Sequence, residues 1–382
     1  MSLIFDYEIL RLAWWVLLGV LLIAFAVTDG FDLGVAVLLP FVGRNDIERR
    51  IAINTIGPVW EGNQVWLILG AGAIFAAWPP LYAVSFSGFY VAMFLVLASL
   101  ILRPVGFKFR SKIDDPRWRT VWDWALVIGG FVPALVFGVA VGNALQGVSF
   151  AFDQDLRATY DITLLNLLNP FALLCGLVSL SMLVMQGAAY LNLKADEPVA
   201  GRAQTAGCAA AGATIILFAL AGLATAFLIS GYKITSAIDP SGPSNPLAKT
   251  VVQETGAWLA NYAAHPWMLA APALGFLGAG FAIPLFRAKR PVLTLVFTSL
   301  SIAGIVATAG VSMFPFLLPS SSSPSSSLTV WDASSSRLTL GIMLVAALVF
   351  VPIVLAYTSW VYKVLRGRVT AQAIIRDAHE AY

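Results

Sequence analysis

The sequence predicts an all-α integral membrane protein, and three observations lead to that fold class. Of the 382 residues, 59% are hydrophobic and only 11% are Asp, Glu, Lys or Arg, whereas a soluble domain carries about 25% charged residues. The mean hydropathy is +0.84. Long runs rich in Leu, Ala, Val and Phe lack the alternation of a transmembrane β-strand and are long enough for spanning helices. These features exclude a soluble enzyme, a nucleic-acid-binding protein and a disordered chain.

The apolar runs divide the chain into about nine predicted spans, which form a single transmembrane domain over residues 1–382. The spans are residues 10–38, 53–76, 81–102, 123–143, 165–191, 206–230, 266–286, 292–318 and 339–362. Two longer polar segments, at about 231–265 and 319–338, are predicted outer loops. The first has room for a short amphipathic helix at Ala248–Ala260. The second contains a Ser-rich stretch, Ser320–Ser327, which is typical of a flexible loop.

The basic residues predict the orientation of these spans. Eighteen of the 23 Lys and Arg residues fall in alternate connecting segments and in the C-terminal tail. The positive-inside rule therefore places the N-terminus outside and the C-terminus inside, which requires an odd number of spans and so favours nine. Aromatic residues near the span ends are predicted to form interfacial belts. They are Trp14, Trp15, Trp78, Tyr82, Trp118, Trp122, Trp124, Trp360 and Tyr362.

Three acidic residues are predicted at membrane depth, where charges are costly and usually functional or paired. Asp29 and Asp32 lie three residues apart in the first span, so they share one helix face. Glu61 begins the second span, near its inner end. Because buried carboxyl groups can hold and relay protons, these three residues are the candidates for a proton route. Arg103, which ends the third span, is a possible partner for a carboxylate, and Asp123 is more simply a helix-end ion pair.

The sequence offers few ligands for a redox centre. It contains two histidines: His265 at the start of a span and His379 in the inner tail. Haem iron usually takes an axial His, Met, Cys or Tyr, and Met185 within a span is more simply a packing residue. Cys175 and Cys208 are far apart and fit small buried hydrophobes better than an iron–sulfur site. Any redox centres are therefore expected in a partner chain, and no metal site is predicted here.

Several ordered motifs together carry a family resemblance. They are Ala26–Gly34 (AVTDGFDLG), Gly43–Arg50 (GRNDIERR), Ile56–Leu67 (IGPVWEGNQVWL), Phe75–Pro79, Phe86–Tyr90, Arg103–Phe107, Gly142–Gly147, Met313–Phe316 and Trp331–Ser336. In these motifs, and over essentially its whole length, the chain resembles subunit II of cytochrome bd-type quinol oxidases. Asp29 and Asp32 match the family motif directly. Glu61 stands where many relatives have Asp, and Lys108 stands where some have Asp.

The resemblance implies an enzyme of the bacterial cytoplasmic (inner) membrane that oxidises quinol and reduces O₂ to water. It implies a heterodimer with subunit I, which carries haems b558, b595 and d, so that none is ligated by this chain. It further implies that subunit II supports assembly and offers a proton route. Some members hold a structural quinone in this subunit, and small accessory subunits are possible.

Two other functions are compatible with the residues alone. A secondary transporter also buries carboxylates near the membrane midplane, although the odd number of spans and the lack of a visible repeat weigh against it. The other is a purely structural assembly subunit with no role in proton transfer.

Overall fold

The computed structural model describes residues 6–376, which form α-helices joined on one side by short β-hairpins. The helices are α1 (Tyr7–Val42), α2 (Asp46–Ile56), α3 (Trp60–Ala77), α4 (Pro79–Gly88), α5 (Tyr90–Phe109), α6 (Pro116–Gln146), α7 (Leu164–Leu167), α8 (Pro170–Lys194), α9 (Val199–Phe227), α10 (Ala260–Ala264), α11 (Ala270–Arg287), α12 (Pro291–Met313), α13 (Arg337–Val364) and α14 (Ala371–Arg376). The strands are β1 (Phe150–Phe152), β2 (Ala158–Tyr160), β3 (Ser230–Ile234), β4 (Val251–Thr255), β5 (Phe316–Leu318) and β6 (Leu328–Thr329).

The helical fold class is confirmed. Within residues 6–376, eight helices are long and apolar enough to cross a membrane: α1, α5, α6, α8, α9, α11 with the turn before it, α12 and α13. The predicted second span corresponds to α3, which has 18 residues but begins with the polar side chains of Glu61, Asn63 and Gln64. The number of nine spans and the orientation of the termini remain predictions.

Helix α1 lies at the centre of the bundle and packs against α8, α6, α3 and α12. It is 36 residues long and has Asp6 as its N-cap, whose side chain accepts from the amide of Glu8. Its buried residues lie mainly in the half that contains Asp29 and Asp32. The most conspicuous acidic motif of the sequence is therefore surrounded by protein rather than by lipid.

The first predicted outer loop contains a hairpin rather than the expected helix. Strands β3 and β4 pair antiparallel, with Gly231 opposite Glu254 and Ile234 opposite Val251. The expected helix at Ala248–Ala260 is wrong, because Val251–Thr255 form β4 and α10 begins only at Ala260. The adjacent β-branched Val251 and Val252 favour the extended conformation.

The Ser-rich stretch is ordered by its own hydroxyl groups, so the flexible-loop prediction is wrong. Ser320, Ser326 and Ser327 are buried. The hydroxyl of Ser327 donates to the carbonyl of Pro324 at 2.6 Å and accepts from the amide of Ser320 at 2.9 Å. The hydroxyl of Ser320 donates to the carbonyl of Phe150. Serine side chains thus satisfy the backbone of a compact loop that packs on β1.

The aromatic belts are only partly as predicted. Trp124 and Trp360 are exposed as belt residues should be, but Trp14 and Trp78 are buried. The indole of Trp14 donates to the carbonyl of Leu340 at 3.0 Å. An aromatic residue near the end of a span can therefore be either an exposed belt residue or a buried residue that joins two helices.

Replacing Lys249 with Met is expected to destabilise the two predicted outer loops. Lys249 Nζ lies 2.8 Å from Asp332 Oδ2, and both side chains are almost fully buried. Burial lowers the pKa of Lys249, and the carboxylate of Asp332 opposes that shift. Breaking a buried ion pair costs about 3–5 kcal/mol, because one charge is left uncompensated. The thermal midpoint of the purified complex should fall, and Lys249→Met combined with Asp332→Asn should restore most of it. A double variant as unstable as the single one would contradict this explanation.

Candidate functional site

A cluster of three charged side chains lies in the interior of the bundle. Asp29 and Asp32 on α1 and Arg103 on α5 are all fully buried. Arg103 donates from Nη2 to Asp29 Oδ1 at 2.8 Å and from Nη1 to Asp29 Oδ2 at 3.1 Å, which is a bidentate pair. The same Nη2 lies 3.8 Å from Asp32 Oδ2. The expected partnership of Arg103 with a carboxylate is confirmed, and we call these three residues the charged cluster.

The local sequence explains why the cluster forms. The three-residue spacing places both carboxylates on one face of α1, as expected from the sequence, and α1 is unbroken through this motif. Gly129 on α6 leaves room for the arginine, because a Cβ there would lie 3.0 Å from Arg103 Cγ. The ring of Trp60 lies 5.8 Å from the guanidinium carbon. The arginine is thus enclosed by carboxylates on one side and by small or aromatic residues on the others.

Two neutral residues that were not among the predicted site residues extend the cluster. Asn63 on α3 donates from Nδ2 to Asp32 Oδ2 at 2.8 Å. The hydroxyl of Tyr362 on α13 donates to Asn63 Oδ1 at 2.7 Å. The belt prediction for Tyr362 is therefore wrong. The sequence could have identified Asn63. It lies two residues after Glu61 in an apolar span, where a side-chain amide also needs a hydrogen-bond partner.

One oxygen of the cluster has no partner. Asp32 Oδ2 accepts from Asn63, whereas Asp32 Oδ1 is buried without a hydrogen-bond partner. The two carboxylates together carry more negative charge than one guanidinium can balance. A proton on Asp32 would neutralise the carboxylate that the guanidinium leaves uncompensated.

Glu61 lies away from the cluster. Its side chain is exposed, whereas that of Asn63 is buried, because residues two apart point to opposite sides of a helix. Glu61 continues an exposed apolar stripe of α3 that contains Val65, Ile68 and Phe75. The structure therefore brings Asp29 and Asp32 together with Arg103 but does not bring Glu61 to them. Lys108, near the end of α5, is also exposed.

A second set of ion pairs lies at the basic end of the bundle. Asp123 accepts from Arg110 and from Arg49, the latter at 2.9 Å, so its interpretation as a helix-end ion pair is confirmed. Glu48 pairs with Arg202 at 2.5 Å. The hydrogen bond from Arg202 lowers the pKa of Glu48 against the opposing effect of burial. These pairs join α2, the end of α5, α6 and α9.

The two side chains considered as axial haem ligands lie in different surroundings. His265 is exposed in the loop before α11, and Met185 is packed in the core between helices. His379 lies outside the described residues. Within residues 6–376, no three His, Cys, Asp or Glu side chains are grouped so as to hold a metal ion. No step of the proposed chemistry is therefore assigned to an iron bound by this chain.

Comparisons with known proteins agree with this architecture. The family model of cytochrome bd terminal oxidase subunit II matches residues 10–365. The chain is 54% identical to a probable cytochrome oxidase subunit 2 of Haemophilus influenzae and 53% identical to the cytochrome bd-I ubiquinol oxidase subunit 2 of Escherichia coli K12. Each match covers 99% of this chain and 100% of the relative.

More distant proteins are also similar to this chain. The cytochrome bd ubiquinol oxidase subunit 2 of Bacillus subtilis is 33% identical, over 94% of this chain and 96% of the relative. A chain in the structure of the bd oxidase from Geobacillus thermodenitrificans superposes with a TM-score of 0.68 at 16% identity. That match covers 93% of this chain and 98% of the other, and at such low identity it shows the fold alone.

The fold and the buried charged cluster define a multi-pass membrane protein with ionisable groups inside its helix bundle. More particularly, the chain belongs to the subunit II family of cytochrome bd terminal oxidases. It is thus a member of a quinol:O₂ oxidoreductase complex of the respiratory chain, in which subunit II has a subunit I partner.

Proposed function

We propose that this chain supports assembly of a bd-type oxidase and that Asp32 of the charged cluster receives protons destined for oxygen reduction. The fully buried pair of carboxylates that shares one guanidinium carries this proposal. In the proposed complex, quinol and O₂ are the substrates, and haems b558, b595 and d lie on subunit I. The complex would lie in the bacterial cytoplasmic membrane, with small accessory subunits possible.

The hydrogen bonds of the cluster favour different roles for its two acids. Both oxygens of Asp29 accept from Arg103, so this carboxylate is suited to hold the arginine in place. Asp32 makes one hydrogen bond, from the amide of Asn63, and keeps Oδ1 free. Because an amide does not readily pass on a proton, Asn63 and Tyr362 orient Asp32. The proton would therefore arrive at Oδ1.

The surface near Glu61 is the best candidate for contact with subunit I. The exposed stripe of α3 ends at Glu61, and α5 exposes a stripe of its own that includes Tyr90, Phe94 and Ile101. An ionisable side chain that faces lipid is costly, so a partner chain over this side of the bundle would lower that cost. Glu61 would then lie at the interface of the two subunits, where it could collect protons from the inner side.

The experiment that tests this proposal compares Asp32→Asn and Glu61→Gln in the purified complex. Positioned acid–base groups contribute about 10²–10⁴-fold to rates, so we expect Asp32→Asn to lower quinol oxidase turnover by roughly tenfold or more, with the haem spectrum unchanged. Glu61→Gln should give a smaller loss, because water can replace a group at an interface. Asp155→Asn, at an exposed carboxylate in the loop between β1 and β2, is the matched control.

Two outcomes separate this proposal from its alternatives. Full turnover in both variants would rule out the proton route. Loss of haem from Asp32→Asn would instead favour a purely structural subunit. A secondary transporter is no longer supported, because the chain belongs to the subunit II family of bd-type oxidases.

A further inference from the structure

A cleft of about 490 Å³ opens at the basic end of the bundle, between α1, α8, α12 and α13. Its deeper walls are mainly apolar and include Phe31, Leu193 and Leu295. Its mouth is lined by Lys194, at the end of α8, and by the segment Arg366–Arg368 that follows α13. We call this feature the inner-end cleft.

Backbone hydrogen bonds fix the segment that carries two of the basic residues of the mouth. The amide of Val369 donates to the carbonyl of Lys194 at 2.7 Å, and the amide of Asp196 donates to the carbonyl of Val369. These bonds hold the segment after α13 against the turn between α8 and α9. Gly367 has a φ of +121°, a conformation that other residues rarely adopt. The chain therefore turns sharply between Arg366 and Arg368 while both remain at the mouth.

The cations at the mouth are available to a ligand. Lys194 Nζ donates one hydrogen bond, to the carbonyl of Leu365, which leaves two of its N–H groups. Arg366 and Arg368 are exposed, and neither forms an ion pair with any residue in the described range 6–376. Three positive charges thus surround the opening of an apolar cleft.

The deeper polar groups of the cleft have no free donors. Each hydroxyl or amide N–H that lines it already donates within the protein. The hydroxyl of Thr28 donates to the carbonyl of Ala24, that of Ser299 to the carbonyl of Leu295, that of Tyr190 to the carbonyl of Thr55, and that of Tyr362 to Asn63 Oδ1. The side-chain amide of Gln186 donates to the carbonyl of Val27 and to the hydroxyl of Ser299. A quinone is neutral and presents two carbonyl acceptors, which would find no donor on these walls. The cleft instead suits a molecule whose acceptors are all in one anionic head and whose remainder is apolar.

We propose that the inner-end cleft binds an acidic phospholipid, with the phosphate at Lys194, Arg366 and Arg368 and an acyl chain along the apolar walls. Basic pockets between transmembrane helices favour anionic headgroups, and each Lys or Arg near the membrane surface contributes to that preference. A shallower depression of about 330 Å³ adjoins the mouth and shares Arg366 with it. It gives the rest of the headgroup a place to lie.

The test uses the purified oxidase complex in nanodiscs that contain phosphatidylglycerol and phosphatidylcholine, followed by native mass spectrometry in detergent. The complex should retain phosphatidylglycerol selectively. The triple variant Lys194→Gln, Arg366→Gln and Arg368→Gln should retain it at least about tenfold less. The matched control removes three charges from the turn between α11 and α12, through Arg287→Gln, Lys289→Gln and Arg290→Gln. This control should retain the lipid as the unmodified complex does.

A second variant tests the apolar part of the site. Leu193→Trp fills the cleft and leaves the three cations in place, so it should also release the lipid. Excess inorganic phosphate should not displace the lipid, because a free anion uses the mouth but not the walls. Equal retention by the triple variant and its control would overturn the proposal. So would retention of a quinone in place of phosphatidylglycerol, or displacement by phosphate alone.

Discussion

Replacing Arg103 with Gln is expected to prevent accumulation of the assembled oxidase. The guanidinium is fully buried and is the counter-charge of Asp29, at 2.8 and 3.1 Å, and of Asp32, at 3.8 Å. Its loss leaves two carboxylates in the interior without compensation, and removing one partner of a buried pair costs about 3–5 kcal/mol. That is a large share of the roughly 5–15 kcal/mol by which proteins are stable. The haem absorbance of purified complex should fall below about a tenth of the unmodified amount.

Two further variants distinguish the charge of Arg103 from the geometry of its hydrogen bonds. Asp29→Asn combined with Arg103→Gln removes one charge of each sign and retains the hydrogen bond between Asn63 and Asp32. We expect this pair to accumulate much more complex than Arg103→Gln alone. Arg103→Lys retains the charge but loses the bidentate geometry, so it should be intermediate. If the double variant is no better than the single one, charge balance is not what the arginine supplies.

The sequence alone predicts the charged residues of the cluster. It does not predict their neutral partners, and the reason is physical. Hydropathy identifies Asp29, Asp32 and Arg103 as charges inside apolar runs, and helical periodicity places the two acids on one face. It does not reveal which distant helix supplies each neutral partner. Asn63 and Tyr362 are 299 residues apart in sequence, and their contact depends on how α3 and α13 pack around α1. The same limit applies to Glu61, which remains exposed in this chain.

The wrong predictions for the two predicted outer loops have a different origin. Composition suggested flexibility at Ser320–Ser327, but serine hydroxyls can satisfy backbone groups as readily as they contact water. A helix was expected across Val251–Thr255, although the neighbouring strand that stabilises this segment, β3, begins 21 residues earlier at Ser230. Pairing with this distant strand therefore determines the conformation of Val251–Thr255. In the spans, by contrast, each helix satisfies its own backbone, so local composition was enough to predict their type.

Replacing Gly34 with Ala is expected to reduce assembly almost as strongly as loss of Arg103. Helices α1 and α8 cross closely at Gly34 and Gly187. A Cβ on Gly34 would lie 2.0 Å from the carbonyl oxygen of Leu183, which is a rigid backbone atom of α8. Small residues allow such crossings in membranes, and a methyl group forced into a packed core costs about 1–3 kcal/mol or more. The two helices would have to separate, and the stack of Phe31 on Tyr190, with centroids 3.8 Å apart, would be disturbed.

The matched control lies on the same helix. A Cβ on Gly19 would meet no atom within 4 Å, so Gly19→Ala should assemble normally. The yield of haem-containing complex and its thermal midpoint measure both variants. A Gly34→Ala complex with normal yield and midpoint would show that α1 and α8 can separate at little cost. If it assembles with a lowered midpoint and reduced turnover, the crossing also positions the charged cluster, because Asp32 lies two residues before Gly34.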